Sequence, residues 1–157
     1  MMSDNFTDSI FENAWQFRKD GDVMPTWFLC GDTVQIVGTP FDADDTKNKA
    51  AALIAQWVTD LQPTTIMFIS DVWMRQIPDD APESELRKKP SRQYDSVEAI
   101  VLQVWNQDGT GYTRLRQYRE TDDGGLEILS DDKVDGESPH TETFAPVLEA
   151  LYAGRRQ

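Results

Sequence analysis

The side chains that most often carry out catalysis or bind metals are scarce in this chain of 157 residues. Histidine, the usual general base near neutral pH, occurs once, as His140, next to Pro139 in a predicted loop. The only cysteine, Cys30, lies in an apolar run and is predicted to be a small buried hydrophobic residue. A structural zinc site needs four Cys or His ligands, so the composition excludes one. The surroundings of the serines and of Cys30 do not favour Ser-His-Asp or Cys-His catalysis.

Motifs that bind phosphate or calcium do not occur in the sequence. There is no glycine-rich loop of the P-loop or dinucleotide-binding type. Asp42, Asp44 and Asp45 lack the spacing of a calcium-binding loop and are predicted to cap a helix. We therefore expect no cofactor and no bound metal, and we assign no residue as catalytic.

Asp71 is the acid with the most unusual setting, because it lies inside a predicted strand on the same face as apolar residues. A carboxylate buried there without a partner would be costly. Arg114 or Arg116 on a neighbouring strand is predicted to pair with it, which is a structural role. The alternative is a polar site at Asp71 and Trp73 that acts on a small substrate with the help of an arginine. The arginines considered for that site are Arg75, Arg92 and Arg114.

A charged loop, residues 77–92, joins the two longest predicted strands. Its first half is acidic, and its second half contains the basic residues Arg87, Lys88, Lys89 and Arg92. The two halves can pair with each other, or the loop can serve as a binding element, since long exposed loops often carry function. These four basic residues, together with Asp71 and Trp73, form the predicted binding site.

The chain is strongly acidic, with a formal net charge of -13. The excess lies in two flanks: residues 1–74 contain 11 acids and 4 bases, and residues 120–149 contain 10 acids and 1 base. Nucleic-acid binding depends on clustered Lys and Arg that neutralise phosphates, so we expect no direct contact with nucleic acid. Such acidity is also typical of adaptation to a salty cytoplasm, which would imply no partner.

The N-terminus lacks the features of a secretory leader. Residues 1–17 have neither the basic start nor the apolar run of a signal peptide, and no stretch approaches the roughly 20 apolar residues that span a bilayer. The sequence predicts a cytoplasmic protein without membrane contact. Its length and apolar content fit one domain, residues 1–157.

Hydrophobic spacing predicts three helices and six strands. The helices are predicted at residues 7–19, after a cap at Asp44 or Asp45 until Pro63, and at 143–153. The strands are predicted at 27–30, 33–37, 64–74, 97–105, 112–119 and 126–129. In the first helix, Ser9 and Glu12 have capping-box spacing, and the apolar stripe extends to Phe17. Leu53 and Leu61 belong to the predicted apolar stripe of the second helix. Residues 130–139 are predicted to form an acidic loop.

These elements indicate an α+β fold: an antiparallel sheet of five or six strands with two or three helices packed mainly on one face. The strands at 64–74 and 97–105 are apolar on both faces. They are therefore central strands covered on both sides, or a second subunit packs on one side. A homodimer would supply that second cover.

The segment from Ser70 to Val104 resembles a known family. It contains Ser70-Asp71-Val72-Trp73-Met74, a proline-rich charged loop, Pro90-Ser91-Arg92 and Glu98-Ala99-Ile100-Val101. This order is similar to that in a family of small uncharacterised α+β proteins from bacteria and their phages, in which the second strand opens Arg-x-Glu-Ala. Here Ser96 stands at the position of that arginine. The resemblance implies the α+β fold and a bacterial or phage origin, and it implies no activity.

Together these observations favour a non-enzymatic protein-binding module that acts as a homodimer. The binding elements considered are the loop at 77–92, the acidic flanks and the aromatic residues Trp73, Trp105, Tyr112 and Tyr118. Three alternatives are kept: an acidic inhibitor that mimics nucleic acid, a phage structural or accessory protein, and a carboxylate-based enzyme that uses Asp71.

Overall fold

The computed structural model describes residues 4–39, 44–75, 96–136 and 142–154. The helices are α1 (Asp4–Asp20), α2 (Asp44–Leu61) and α3 (Ala145–Ala153), and a 3-10 turn at Glu142–Phe144 precedes α3. The strands are β1 (Thr26–Cys30), β2 (Val34–Gly38), β3 (Thr65–Arg75), β4 (Ser96–Asn106), β5 (Gly111–Glu120) and β6 (Leu126–Asp135). The basic residues Arg87, Lys88, Lys89 and Arg92, and the single histidine His140, lie outside the described residues. Within the described ranges, every helix is too short or too polar to cross a membrane.

The strands form one sheet in the order β2-β1-β3-β4-β5-β6, and every neighbouring pair is antiparallel. The predicted α+β class and the antiparallel sheet are confirmed. In the register of β3 with β4, Asp71 lies opposite Ile100 and Trp73 lies opposite Glu98. The sheet therefore places the two candidate residues of β3 on one face, beside an acid from β4.

Both faces of the central strands are covered by helices of the same chain. α2 and α3 pack on one face, where Ile66 and Phe68 of β3 are buried, and α1 packs on the other, over Met67 and Ile69. This arrangement explains why β3 and β4 are apolar on both sides, and it is the first of the two predicted alternatives. The cover that a second subunit was expected to supply comes from α1.

The last strand is longer than predicted. β6 runs through residues 126–135, so the prediction of an acidic loop from residue 130 is wrong for residues 130–135. The reason is pairing with the basic strand β5: Arg116 lies opposite Asp131 in the register and donates hydrogen bonds to it at 2.6 and 2.9 Å. Ion pairs of this kind satisfy acids in an edge strand that would otherwise disfavour β structure.

Two predicted details of the helices are wrong. α1 begins at Asp4, so Ser9 lies inside it and donates to the backbone carbonyl of Asn5 at 2.9 Å instead of capping its start. Phe17 is 66% exposed although it follows the buried Ile10 by seven residues and so lies at the edge of the same stripe, because this edge faces an open surface that Met24 and Ile36 also line. Leu53 and Leu61 of α2 are likewise exposed.

Candidate functional site

The carboxylate of Asp71 is enclosed between the sheet and α1. The hydroxyl of Tyr118 donates to Asp71 Oδ1 at 2.7 Å, and Arg18 Nε of α1 lies 3.4 Å from Oδ2. The side chain of Asp71 is only 16% exposed. Asp71 therefore has a cationic partner, but that partner is Arg18 rather than the predicted Arg114 or Arg116.

The two predicted arginines, Arg114 and Arg116, pair with acids in the first part of α1. Arg116 is buried and donates to Glu12 at 2.7 Å as well as to Asp131, and Arg114 forms an ion pair with Asp8. Both guanidinium groups also lie over the ring of Phe11. The charges are thus separated along α1: its acids Asp8 and Glu12 pair with arginines of β5, whereas Arg18 near its end pairs with acids of the sheet. Ion pairs therefore join both parts of the helix to the sheet.

Tyr118 is the centre of the cluster around Asp71. Its side chain is fully buried, and its hydroxyl lies 2.7 Å from Arg18 Nε, from Asp71 Oδ1 and from Glu98 Oε2. The hydroxyl accepts from Arg18 and has a single proton to donate, so a hydrogen bond to both carboxyl groups requires a second proton on one of them. Arg18 also pairs with Glu98 at 3.4 Å and Glu120 at 3.1 Å.

Below about pH 6, the electrostatics favour that second proton on Asp71. Burial raises the pKa of Asp71 to about 6, and the nearby Glu98 carboxylate adds to the effect, while the Tyr118 hydrogen bond and the charge of Arg18 oppose it. Burial and the two carboxylates raise the pKa of Tyr118, so it stays a neutral donor. Burial lowers the pKa of Arg18, but its bonds to Glu120, Glu98 and Tyr118 outweigh this and raise it overall, so Arg18 stays charged.

The raised pKa of Asp71 predicts a pH-dependent stability. Because the folded pKa of about 6 exceeds the usual value of 3.8, the folded state binds more protons between these values, and the free energy of unfolding falls as pH rises. Replacing Asp71 with Asn should remove this component. Between pH 5 and 7.5 the wild type should lose about 1.4 kcal/mol relative to Asp71→Asn, measured by urea unfolding.

The comparison with Asp71→Asn cancels the contributions of other titrating groups, such as Glu12, whose pKa is lowered by its hydrogen bond with Arg116. Parallel pH profiles for the two proteins would contradict a shared proton at Asp71.

Trp73 lies two residues beyond Asp71 on the same face and is 43% exposed. A cavity of about 360 Å³ beside it is lined by Trp73, Val97, Glu98, Tyr118, Arg119 and Glu120, and Asp71 is not among its lining residues. The last pair of β3 with β4 is Arg75 with Ser96, two positions along the sheet from Trp73 and Glu98. Asp71 and Trp73 therefore lie close together on the same strand, but the carboxylate of Asp71 is paired with Arg18 and does not reach the cavity.

The aromatic residues predicted to bind a partner have different environments. Trp105 and Tyr118 are fully buried, so the prediction is wrong for these two. Tyr112 is half-buried, with the ammonium of Lys133 4.4 Å from its ring centre. Trp73 is the most exposed of the four. Within the described residues, no three His, Cys, Asp or Glu side chains are placed to hold a metal ion.

A second surface, which the sequence did not single out, lies between α1 and the β1–β2 hairpin. It is a groove of about 420 Å³, called here the α1–β2 groove. Its apolar lining includes Ala14, Phe17, Met24, Phe28, Ile36 and Ile69. Three of these side chains are largely exposed: Phe17 at 66%, Met24 at 57% and Ile36 at 58%. Exposed large apolar residues that share one concave surface are typical of a binding site.

The two edges of the sheet differ in charge. β6 contains Glu127, Asp131, Asp132, Lys133 and Asp135. β2, with the sequence Val-Gln-Ile-Val-Gly, contains no charged residue and no proline. Proteins usually protect an edge strand with charges or proline because its free backbone groups can pair with another chain. β6 has this protection, and β2 lacks it.

Comparisons of the chain with protein-family models, with curated proteins and with solved structures find no match. The family resemblance of residues 70–104 stays a prediction.

Proposed function

We propose that this protein is a non-enzymatic protein-binding module that holds an apolar segment of a partner protein in the α1–β2 groove. The observation that carries the proposal is the exposure of Phe17, Met24 and Ile36 in one groove. Its floor is apolar and rigidly supported, because Ile10 and Ile69 also belong to the buried core under α1. A preformed apolar depression with a few exposed aromatic or aliphatic side chains is the usual anchor point of a protein interface.

The negative charge of this chain favours a partner with a basic surface. The chain has a net charge of -13, and Asp22 is the one charged residue among the described residues that line the groove. A segment with apolar side chains flanked by Lys or Arg fits such a surface, since opposite potentials speed association and exclude acidic competitors. Association should therefore slow as salt is added.

An enzyme built on Asp71 has less support. The carboxylate of Asp71 accepts a hydrogen bond from Tyr118 and forms an ion pair with Arg18, and it does not line the cavity beside Trp73. The acidic mimic of nucleic acid and the phage accessory protein stay predictions. Among the acids that a mimic would present, Glu12 and Asp131 are neutralised by Arg116.

The proposal predicts that Phe17→Ala removes partner binding while leaving the fold intact. Phe17 is 66% exposed, so its loss should change the free energy of unfolding by less than about 1 kcal/mol. Immobilised wild type and variant are incubated with an extract of the source organism, and captured proteins are quantified by mass spectrometry. Leu53→Ala is the matched control, because Leu53 is also an exposed apolar helix residue, at 50%, but lies on α2.

We expect the specific partners to fall about tenfold or more with Phe17→Ala and to stay with Leu53→Ala. Equal capture by all three proteins, or no capture by the wild type above a blank resin, would contradict the proposal. A further variant, with Arg87, Lys88, Lys89 and Arg92 changed to Ser, tests the charged loop. If that variant retains every partner, the loop is not the binding element.

A further inference from the structure

The open edge of β2 has a defined set of outward-pointing backbone groups. Thr39 N donates to Pro25 O at 2.7 Å, and Gly31 N donates to Thr33 O at 3.0 Å. Both pairs continue the register of β1 with β2, in which Phe28 lies opposite Ile36. Hydrogen-bonded and non-hydrogen-bonded pairs alternate along an antiparallel ladder, so Phe28 and Ile36 form a non-hydrogen-bonded pair.

It follows that Val34, Ile36 and Gly38 point their N–H and C=O groups away from β1. In the described part of the chain, no strand lies beyond β2. Residues 34 and 36 are also exposed, at 42% and 58%. Every second residue of β2 therefore has backbone groups free of β1, and Ile36 is the middle one of the three.

We propose that β2 pairs in antiparallel fashion with β2 of a second copy of this chain, centred on Ile36; this deepens the proposed protein-binding function and rests on it. In this register Ile36 lies opposite the copy's Ile36, and Val34 lies opposite the copy's Gly38. Every outward residue then meets an outward residue, and each of these pairs exchanges two backbone hydrogen bonds. The edge is thus complementary to itself, and the two sheets join into one.

Charge favours a second copy at this edge and not at the other. Two chains of net charge -13 repel each other, and pairing through β6 would bring Asp131, Asp132 and Asp135 of both copies together. The β2 edge is uncharged, so it is where two copies can approach without opposing acids. Corresponding faces of a joined sheet lie on the same side, so the groove floor at Ile36 continues into the copy and stays open to a partner.

Disulfide trapping tests the register. Opposite residues of a hydrogen-bonded pair have Cα atoms about 5.5 Å apart, which suits a disulfide. Ile36→Cys should therefore give a covalent two-chain species on mild oxidation. Gln35→Cys is the matched control, because residue 35 lies opposite residue 37 of the copy in the proposed register. The native Cys30 does not interfere, since it is fully buried and burial raises its pKa to about 11.

Light scattering tests the dimer itself. The wild type should have about twice the chain mass of 17.9 kDa, and Ile36→Lys should have the mass of one chain. Val134→Lys should stay dimeric, because Val134 has the same 58% exposure but lies on β6. A one-chain mass for the wild type at about 100 µM, with and without salt that screens the net charge, would overturn the dimer. Equal trapping of both cysteine variants, or a dimer that survives Ile36→Lys, would also overturn it.

Different outcomes overturn the groove as a binding site and the pairing of two copies through β2. A monomer whose partners are still lost with Phe17→Ala overturns the dimer and keeps the groove. A dimer sensitive to Ile36→Lys whose partners survive Phe17→Ala keeps the dimer and overturns the groove.

Discussion

Replacing Arg18 with Met is expected to reduce the free energy of unfolding by about 3–5 kcal/mol at pH 7.5. Arg18 is 13% exposed and is the cation that lies against Asp71 and Glu98, whose side chains are 16% and 17% exposed. Without it, two largely buried carboxyl groups face each other with no opposing charge. Methionine keeps most of the volume, so the loss reports on charge and hydrogen bonding rather than on a cavity.

Urea unfolding measures this loss, and the adjacent Lys19→Met is the matched control. Lys19 lies over the ring of Trp15 and is exposed, so its replacement should cost less than about 1 kcal/mol. Adding Asp71→Asn to Arg18→Met should restore much of the stability, because one of the opposed carboxylates is removed. Equal losses for Arg18→Met and Lys19→Met would show that the cluster does not stabilise the fold.

Replacing Tyr118 with Phe is expected to cost about 2–3 kcal/mol. The substitution removes one oxygen atom that accepts from Arg18 and contacts the carboxyl groups of Asp71 and Glu98 at 2.7 Å. The ring should stay in place, since it packs edge-on against Trp15 with 5.2 Å between centroids. The loss therefore measures hydrogen bonds to charged groups.

The control for this variant is Tyr112→Phe, on the same strand and the same face of the sheet. Thermal unfolding should show a midpoint lowered by about 4–12 °C for Tyr118→Phe and by clearly less for the control. An unchanged midpoint for Tyr118→Phe would contradict the claim that hydrogen bonds between the Tyr118 hydroxyl and Arg18, Asp71 and Glu98 stabilise the fold.

The Arg18 cluster bears on function through the position of α1. Phe17, which is the most exposed apolar residue that lines the α1–β2 groove, directly precedes Arg18 in the chain. The cluster fixes the end of α1 on the sheet, so it also fixes where Phe17 stands relative to Ile36. If the groove binds a partner as proposed, Asp71 contributes to binding indirectly, through its ion pair with Arg18 next to Phe17.

Local patterns in the sequence were sufficient for most of the elements. The spacing of apolar residues predicted α2 between a cap at Asp44 or Asp45 and a stop at Pro63, and long apolar runs predicted β3 and β4 to within about a residue at each end. These patterns report on the period of one helix or strand, which neighbouring residues determine. The α+β class followed from the order of such elements.

Features that depend on distant residues were not accessible in this way. The bond between Arg18 and Tyr118 joins residues that are 100 positions apart, and several arginines were available as partners of Asp71. β6 extends through an acidic segment because β5 supplies Arg116 opposite Asp131. The groove arises where α1 meets the β1–β2 hairpin, and the helical spacing gave no sign of it, because that spacing predicted Phe17 as part of the buried stripe.

The central claim is that the α1–β2 groove is the binding surface, and the affinity of a captured partner for matched variants tests it most directly. In a calorimetric titration, Phe17→Ala should weaken binding by about tenfold or more, whereas Leu53→Ala should bind as the wild type does. A partner that binds Phe17→Ala and the wild type with the same affinity would contradict the claim.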